Sequence, residues 1–307
     1  MGIVVIGSLN LDLVVRVPRF PDSGETLIGQ DYKSHPGGKG LNQAVAISRC
    51  GCRVKMVGVL GDDIHADIIQ NILDDEKVDC TYIVKVNASS GISFIEVDDL
   101  GNNRIIFIPG ANEKLGIEHI NSSIFETSSG QKTLLASLTN PLKPIEFAFD
   151  LGAKQGYFTI LKPAPATLLS TKFYNSIDLF IPNQHEAEYY TGLRVRNFDD
   201  AEQAAKLILK LGVKSTIINL GEKGAIYVNS QTTIHQKAFK IKTIDGTAAG
   251  DAFCGAIASQ LYSGESIADA LRFACAAGAL ATSRQGAVPS LPFRRSILAL
   301  IKSQPND

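Results

Sequence analysis

The chain of 307 residues has no tryptophan and almost no net charge: 30 basic against 31 acidic residues leave −1. That balance lacks the basic footprint that nucleic-acid binding ordinarily requires. The five cysteines, Cys50, Cys52, Cys80, Cys254 and Cys275, form no CxxC pair and no Cys/His metal spacing. They read as small packed thiols. His35, His65, His119, His185 and His235 also fit no ligand spacing and are assigned no role. No apolar run reaches the ~18 residues of a membrane span. The opening MGIVVIGSLNLDLVV lacks a basic leader and is broken by Asn10 and Asp12, so it reads as a strand and not a signal peptide. Ile6 stands where N-myristoylation wants Ser or Thr. The spacing G-x-x-x-x-G-K-[ST] of a P-loop is missing, and GSLNLD stands where a nicotinamide enzyme carries G-x-G-x-x-G. There is no internal repeat and no low-complexity linker.

What is present is an ordinary globular composition, 45% hydrophobic and 20% charged. IVVIGS reads as a buried strand. LDLVVRVP and TLIGQDYKSH, around the turn RFPDSGE, read as half-polar antiparallel strands, and ISFIEVDDLGNNRIIFIPG as a hairpin that pairs with them. These make a small separate sheet, residues 13–36 and 89–111. The remainder, 1–12, 37–88 and 112–307, forms the main body. There a helix spans 41–49, RVKMVGVLG is a strand and DIHADIIQNILDDEK an amphipathic helix. KTLLASL, YFTILKP, SIDLFIPN and STIINLG are candidate parallel strands, with IEFAFDLGAKQ and DDAEQAAKLILKLG as helices between them. The alternation predicts an α/β fold with a doubly wound, mostly parallel sheet. Ligands bind beyond the carboxyl ends of such strands, where GSLNLD, ASLTNP, IPNQHE and NLGEKG collect polar groups. The tail SQPND is expected to fray.

The strongest chemical signal is TIDGTAAGDAFCGA. The small residues Ala248, Ala249 and Gly250 leave backbone N–H groups unshielded at a helix start, a ready site for an anion. Asp251 beside such an anion suits a base that takes a proton from a hydroxyl attacking phosphorus. A plain helix-start aspartate is the competing explanation. In PGGKGLNQA, Gly37 and Gly38 permit close backbone approach, with Lys39 and Asn42 as donors; a simple glycine turn is the alternative. Asp12, near Asn10, can accept bonds from sugar hydroxyls. Asn183 and Glu186 in PNQHEAE can serve a water-coordinated magnesium or merely cap a helix. NLGEKG offers Gly221 and Gly224 to a nucleotide, weakly on its own.

Together, GGKGLNQAVAISRCG and DGTAAGDAFCGA resemble the two signatures of the ribokinase, or PfkB, family of carbohydrate kinases. GSLNLD, GETLIG, GDD, PAPA, PNQHEAE, LGEKGA and RQGAVPSLP follow in the family's order over nearly the whole chain. The resemblance implies a ribokinase-like fold with a β lid, and ATP-dependent phosphorylation of ribose or another small sugar or nucleoside. It makes Asp251 the base and Ala248, Ala249 and Gly250 the anion hole. Asn10, Asp12, Gly38, Lys39, Asn42 and Thr139 would meet the sugar. Asn183, Asn219, Leu220, Gly221, Glu222, Lys223, Gly224, Gly250 and Cys275 would meet ATP, and Glu186 a magnesium ion through water. Asp245, Thr247, Ala281, Arg284, Gly286 and Ser290 match the positions that hold an activating potassium ion. A cytoplasmic homodimer joined through the lid is expected, with no nucleic-acid or membrane partner. The chain departs from the pattern at Thr139, where the family has Glu, at Lys162, where NPAPA is common, at Gly246 for Thr, and at Cys275 for a polar residue. A non-catalytic sugar- or nucleotide-binding regulator would have lost Asp251 or Gly250, and this chain keeps both.

Overall fold

The computed structural model describes residues 2–126 and 130–305. Strand β1, Ile3–Ile6, is buried on both faces and sets the frame. Because side chains alternate along a strand, Ile3 and Val5 enter one apolar core while Val4 and Ile6 enter another. The same division recurs along β4, Val54–Gly61, where Met56 and Leu60 face one core and Val57 and Val59 the other. A strand covered on both sides reads as a continuous apolar run, which is why both were legible in the sequence.

Among the described residues nine strands form the main sheet, in the order β13-β12-β11-β10-β9-β8-β1-β4-β5. The others are β5 (Asp79–Val86), β8 (Thr133–Ser137), β9 (Phe158–Lys162), β10 (Leu179–Phe180), β11 (Ser215–Asn219), β12 (Gly224–Asn229) and β13 (Thr233–Lys237). Pairing is parallel from β11 through β5, and β12 and β13 add an antiparallel edge. Helices α1 (Lys39–Arg49), α2 (Ile64–Asp75), α7 (Ala249–Tyr262), α8 (Ile267–Thr282) and α9 (Arg294–Ser303) cover one face. Helices α3 (Leu142–Lys154), α4 (Thr171–Tyr174), α5 (Gln184–Thr191) and α6 (Phe198–Lys210) cover the other. This is the predicted doubly wound architecture.

The small sheet has the order β3-β2-β6-β7, with β2 (Asn10–Arg16), β3 (Asp31–Gly37), β6 (Gly91–Val97) and β7 (Asn103–Ile108). β2 and β6 run parallel and the outer pairs antiparallel. β2 starts at Asn10, so Asn10 and Asp12 ride on the small sheet itself. The expected strand 26–35 is shorter at its front: only Asp31–Gly37 pairs, against the seven residues that β2 offers. Of the tail, Ser303 still closes α9, while residues 306 and 307 lie outside the described residues.

Candidate active site

The carboxyl ends of β1, β8, β9, β10 and β11 deliver Ser8, Thr139, Lys162, Asn183 and Asn219 to one edge of the main sheet. Asn183 and Asn219 complete that edge through a parallel bridge. Helix α7 begins over it. Its first position is preceded by Ala248 at φ 60°, ψ 5°, a left-handed conformation that residues with a Cβ seldom adopt. A left-handed residue followed by helical ones turns successive N–H groups toward a common point. No side chain caps α7, whereas α2, α6 and α8 are capped by Asp63, Asn197 and Ser266. Ala249 N–H already reaches Gly246 O at 3.3 Å, and Ala252 N–H closes the first helical bond to Ala248 O at 2.8 Å. The N–H groups of Gly250 and Asp251 lie between these two. A Cβ built on Gly250 would meet no protein atom within 4 Å, and Gly250 lines the cavity. Glycine is therefore not needed there for packing, and its bareness keeps the helix start open.

Asp251 is 7% exposed and is held from α1. Asn42 Nδ2 donates to its Oδ2 at 3.0 Å and Gln43 Nε2 to its Oδ1 at 3.1 Å. The two helices approach closely because Gly255 faces α1: a Cβ there would lie 2.7 Å from Ala46 Cβ. Gln43 is fully buried and was not singled out in the sequence, since a helical glutamine ordinarily reads as surface.

On the small sheet, Asp12 stands opposite His35 of β3 and Ser93 of β6. Burial, reinforced by the Asp251 carboxylate, raises its pKa; the Ser93 hydroxyl, Lys39 and His35 act in the opposite sense. Gly37 leaves space for this carboxylate: a Cβ there would fall 2.1 Å from Asp12 Oδ2 as it now stands. The glycine thus leaves room for Asp12 as well. Asn10, 5% exposed, accepts from Asn112 Nδ2 at 2.9 Å, which leaves its own amide donors available. Asn112, fully buried where the chain leaves β7, also clasps the backbone of Leu9 with its side-chain amide: Oδ1 accepts the Leu9 N–H and Nδ2 donates to Leu9 O. Nothing periodic in the sequence marks it. Gly38, at φ 94°, starts α1 uncapped, and Lys39 N–H donates to Ser8 Oγ at 3.2 Å. Thr139 Oγ1 accepts the Ser8 N–H at 3.2 Å, so Thr139 is tied to the chain segment that supports Lys39.

Beyond Asp251 opens a cavity of about 1110 Å³. Lys39, Asp251 and Gly250 form one end, together with Lys162, Asn183 and Glu186. Residues 219–224 and Cys275 line the rest, so every residue expected to meet a nucleotide faces this one space. Asn10, Asp12, Gly38, Asn42 and Thr139 do not line it; Asn42 reaches Asp251 directly, and Asp12 feels its charge. Asn183 and Glu186 form a reciprocal capping box on α5: Asn183 Oδ1 accepts Glu186 N–H at 2.8 Å, and Glu186 Oε2 accepts Asn183 N–H at 2.7 Å. The capping alternative is therefore realised, and it leaves Asn183 Nδ2 and Glu186 Oε1 for other partners. Cys275 and Cys254 are buried thiols, each pushed up to about 12 by burial, and inert.

Behind α7, Asp245 draws two loops together. Its Oδ1 accepts from Thr247 N and Oγ1 at 2.9 and 2.6 Å, and its Oδ2 from Gly286 N at 2.8 Å. Ser290 Oγ reaches Thr247 O at 3.5 Å, and Ala281 O receives Arg284 N–H at 3.4 Å. The six positions expected to hold potassium thus sit around one loop pair.

A carboxylate fixed beside an open helix start can take a proton from a hydroxyl while the helix receives the phosphoryl group, and phosphoryl transfer asks little more of a protein. Fold and site together define a small-molecule kinase. Residues 2–294 match the pfkB family of carbohydrate kinases, and the chain belongs to that family. It is 35% identical over 305 residues to the ribokinase of Haemophilus influenzae, covering 98% of each chain. To a deoxyribokinase of Salmonella typhi it is 34% identical over 294 residues, 95% of this chain and 96% of the other. The structure resembles that of Arabidopsis thaliana ribokinase complexed with ribose and ATP, with a TM-score of 0.90 at 31% identity over 98% of each chain. The resemblance read from the two signatures is borne out, and the separate four-stranded sheet is consistent with the family's lid.

Proposed function

We propose that the chain transfers the γ-phosphate of ATP to the primary hydroxyl of ribose, giving ribose 5-phosphate and ADP. The observation that carries this reading is Asp251, oriented by Asn42 and Gln43 at the uncapped start of α7, between the small sheet and the cavity. Asn10 and Asp12 present a donor and an acceptor pair to the sugar, and Lys39 and Asn42 flank them. Asp251 takes the hydroxyl proton as the sugar oxygen bonds to phosphorus. The bond from phosphorus to the β-phosphate oxygen breaks, and the N–H groups of Gly250 and Asp251 receive the charge on the phosphoryl oxygens. ATP lies along the cavity, with residues 219–224 and Cys275 at its nucleoside end.

The described residues contain no cluster of three His, Cys, Asp or Glu side chains able to cage a metal ion. That fits a magnesium ion that arrives on the triphosphate and keeps most of its water, with Glu186 Oε1 as an outer contact. Magnesium supplies charge neutralisation on the phosphates. One carboxylate, Asp245, among the backbone carbonyls of Thr247, Ala281, Arg284 and Gly286 likewise suits a large, weakly hydrated monovalent ion such as potassium. Its role is to hold the loop that leads into Ala248 and α7.

Ile105, Ile106, Phe107 and Ile108 of the edge strand β7 are 42–66% exposed, an apolar edge that favours pairing with a second copy through the small sheets. Sedimentation that reports only monomer would remove this part of the reading. No described helix is long and apolar enough to cross a membrane, and the proposed working place is the cytoplasm, where ATP is made.

The test is a panel of ribose, 2-deoxyribose, hexoses and nucleosides with Mg·ATP, followed by ADP release and by phosphorus NMR of the product. Ribose phosphorylated on O5 is expected. Absence of turnover with every sugar, or phosphate on the anomeric oxygen, would overturn the proposal. Thr139 favours 2-deoxyribose as a second substrate, since a short neutral hydroxyl already engaged by Ser8 makes fewer demands on the sugar than a glutamate.

A further inference from the structure

Lys162 is the last residue of β9 and is 7% exposed, yet it lines the cavity. Its ammonium pairs with Glu186 Oε2, the same oxygen that accepts the Asn183 N–H. An ammonium carries three donors. Among the described residues Glu186 is the one acceptor that Lys162 meets, so two donors of a buried cation are unspent at the cavity wall. Buried charges persist where they are paired and fully hydrogen-bonded, and this one is only partly so. Lys162, Glu186, Lys39 and Asp251 all act on the thiol of Cys254, one turn of α7 beyond Asp251, which places the four charges around one end of the cavity. That end also holds Gly250 and the open start of α7.

We propose that Lys162 is a built-in cation for the nucleotide's terminal phosphates, held in place by Glu186, which supplements the divalent ion in neutralising them. This rests on the phosphoryl-transfer reading above and deepens it. The ammonium keeps Glu186 Oε2 as its fixed partner and gives its two remaining N–H donors to phosphoryl oxygens. Glu186 is then shared: Oε2 orients Lys162, and Oε1 remains for the water shell of magnesium. The consequence is a nucleotide affinity that depends less on divalent metal than a site without this lysine would show. The asparagine common at this position in the family cannot supply the charge.

The experiment is calorimetric titration of the full chain with ATP, in EDTA and separately in magnesium, with adenosine as a phosphate-free probe. Wild type is expected to bind ATP in EDTA. Lys162→Asn is expected to weaken that binding about 10- to 100-fold, the range of a lost charge-assisted contact, while leaving adenosine unchanged. Lys162→Arg should restore most of it. Lys162→Met keeps an apolar stem of similar length without the charge and should weaken ATP binding in EDTA as Lys162→Asn does, again leaving adenosine unchanged. ATP affinity within twofold of wild type in Lys162→Asn, or an equal loss for adenosine, overturns the proposal. Should Lys162→Asn fail to fold, Lys162→Met decides alone: ATP binding in EDTA within twofold of wild type overturns it. Wild type that binds neither ATP nor adenosine brings down the kinase reading along with the proposal.

Discussion

Asn42 and Asp251 are separated by 209 positions, yet Asn42 Nδ2 lies 3.0 Å from Asp251 Oδ2. The contact joins the two family signatures into one device. The helix of the first signature carries the donors, and the helix of the second carries the proposed base. Gly255 permits the approach, and Gln43 doubles the hold.

Gln43 acts through Asp251 and touches no substrate, so its removal should separate kcat from KM. Gln43→Leu is expected to lower kcat about 10-fold, a loss of roughly 1.4 kcal/mol, with KM for both substrates within twofold. The melting temperature should fall only modestly: Asp251 Oδ1 loses its Gln43 donor, while removal of the buried, unpartnered Gln43 Oε1 offsets part of that loss. Steady-state kinetics with a thermal melt checks this. A raised KM with unchanged kcat would assign Gln43 to binding instead.

Asp12 is poised for function at a cost to the fold. Burial first, then Asp251, raises its pKa above the ordinary 3.8, so the charged form is disfavoured in the folded state. The destabilisation is present above the raised value and is relieved as pH falls through it toward 3.8. Asp12→Asn should therefore raise the melting temperature at pH 7 and raise it less at pH 4. Ribose affinity should fall at least 10-fold from loss of a charged acceptor. A melting temperature lowered at pH 7 would contradict the assignment.

Potassium should raise kcat over sodium or tetramethylammonium, by ordering the loop between Asp245 and Ala248. Asp245→Asn should reduce that response at least several-fold while leaving the main sheet intact by circular dichroism. Equal rates in potassium-free and potassium-replete buffer would show that the bonds from Asp245 to Thr247 and Gly286 suffice without an ion.

Thr139 offers a neutral hydroxyl where a carboxylate is expected. A charged acceptor is worth about 1 kcal/mol more than a neutral one, or several-fold in affinity. Thr139→Glu should lower KM for ribose several-fold with kcat within about twofold, since such a contact is equal in ground and transition states. If ribose and every other sugar suffer alike, Thr139 serves only to brace Ser8.

Much of this arrangement could be read before the fold was known. β1, β4 and β8 to β11 are apolar runs because helices cover both their faces. Asp251 stands out because small residues precede it. Other parts depend on packing that no local pattern carries. β5 and β13 are edge strands of mixed burial, and α8 is an alanine-rich helix packed against α7 without a polar face to mark its period. Thr26–Gln30 has strand-like residues, but β2 is taken up by Asp31–Gly37, and only Gln30 N–H reaches it, at Arg16 O. Gln43 and Asn112 gain their meaning only from neighbours more than 100 positions away. Lys162 was visible as a departure, but its pairing with Glu186 follows from β9 lying beside β10 in the sheet.

The most direct test is Asp251→Asn, with kcat measured beside equilibrium binding of ribose and ATP. Asparagine keeps the size of the side chain and removes the base. Turnover is expected to fall by about 10²–10⁴-fold, the usual range for general-base assistance, while both dissociation constants stay within a few-fold of wild type. A variant that keeps more than about a third of wild-type kcat would show that Asp251 is not the base, since even the low end of that range demands a far larger loss.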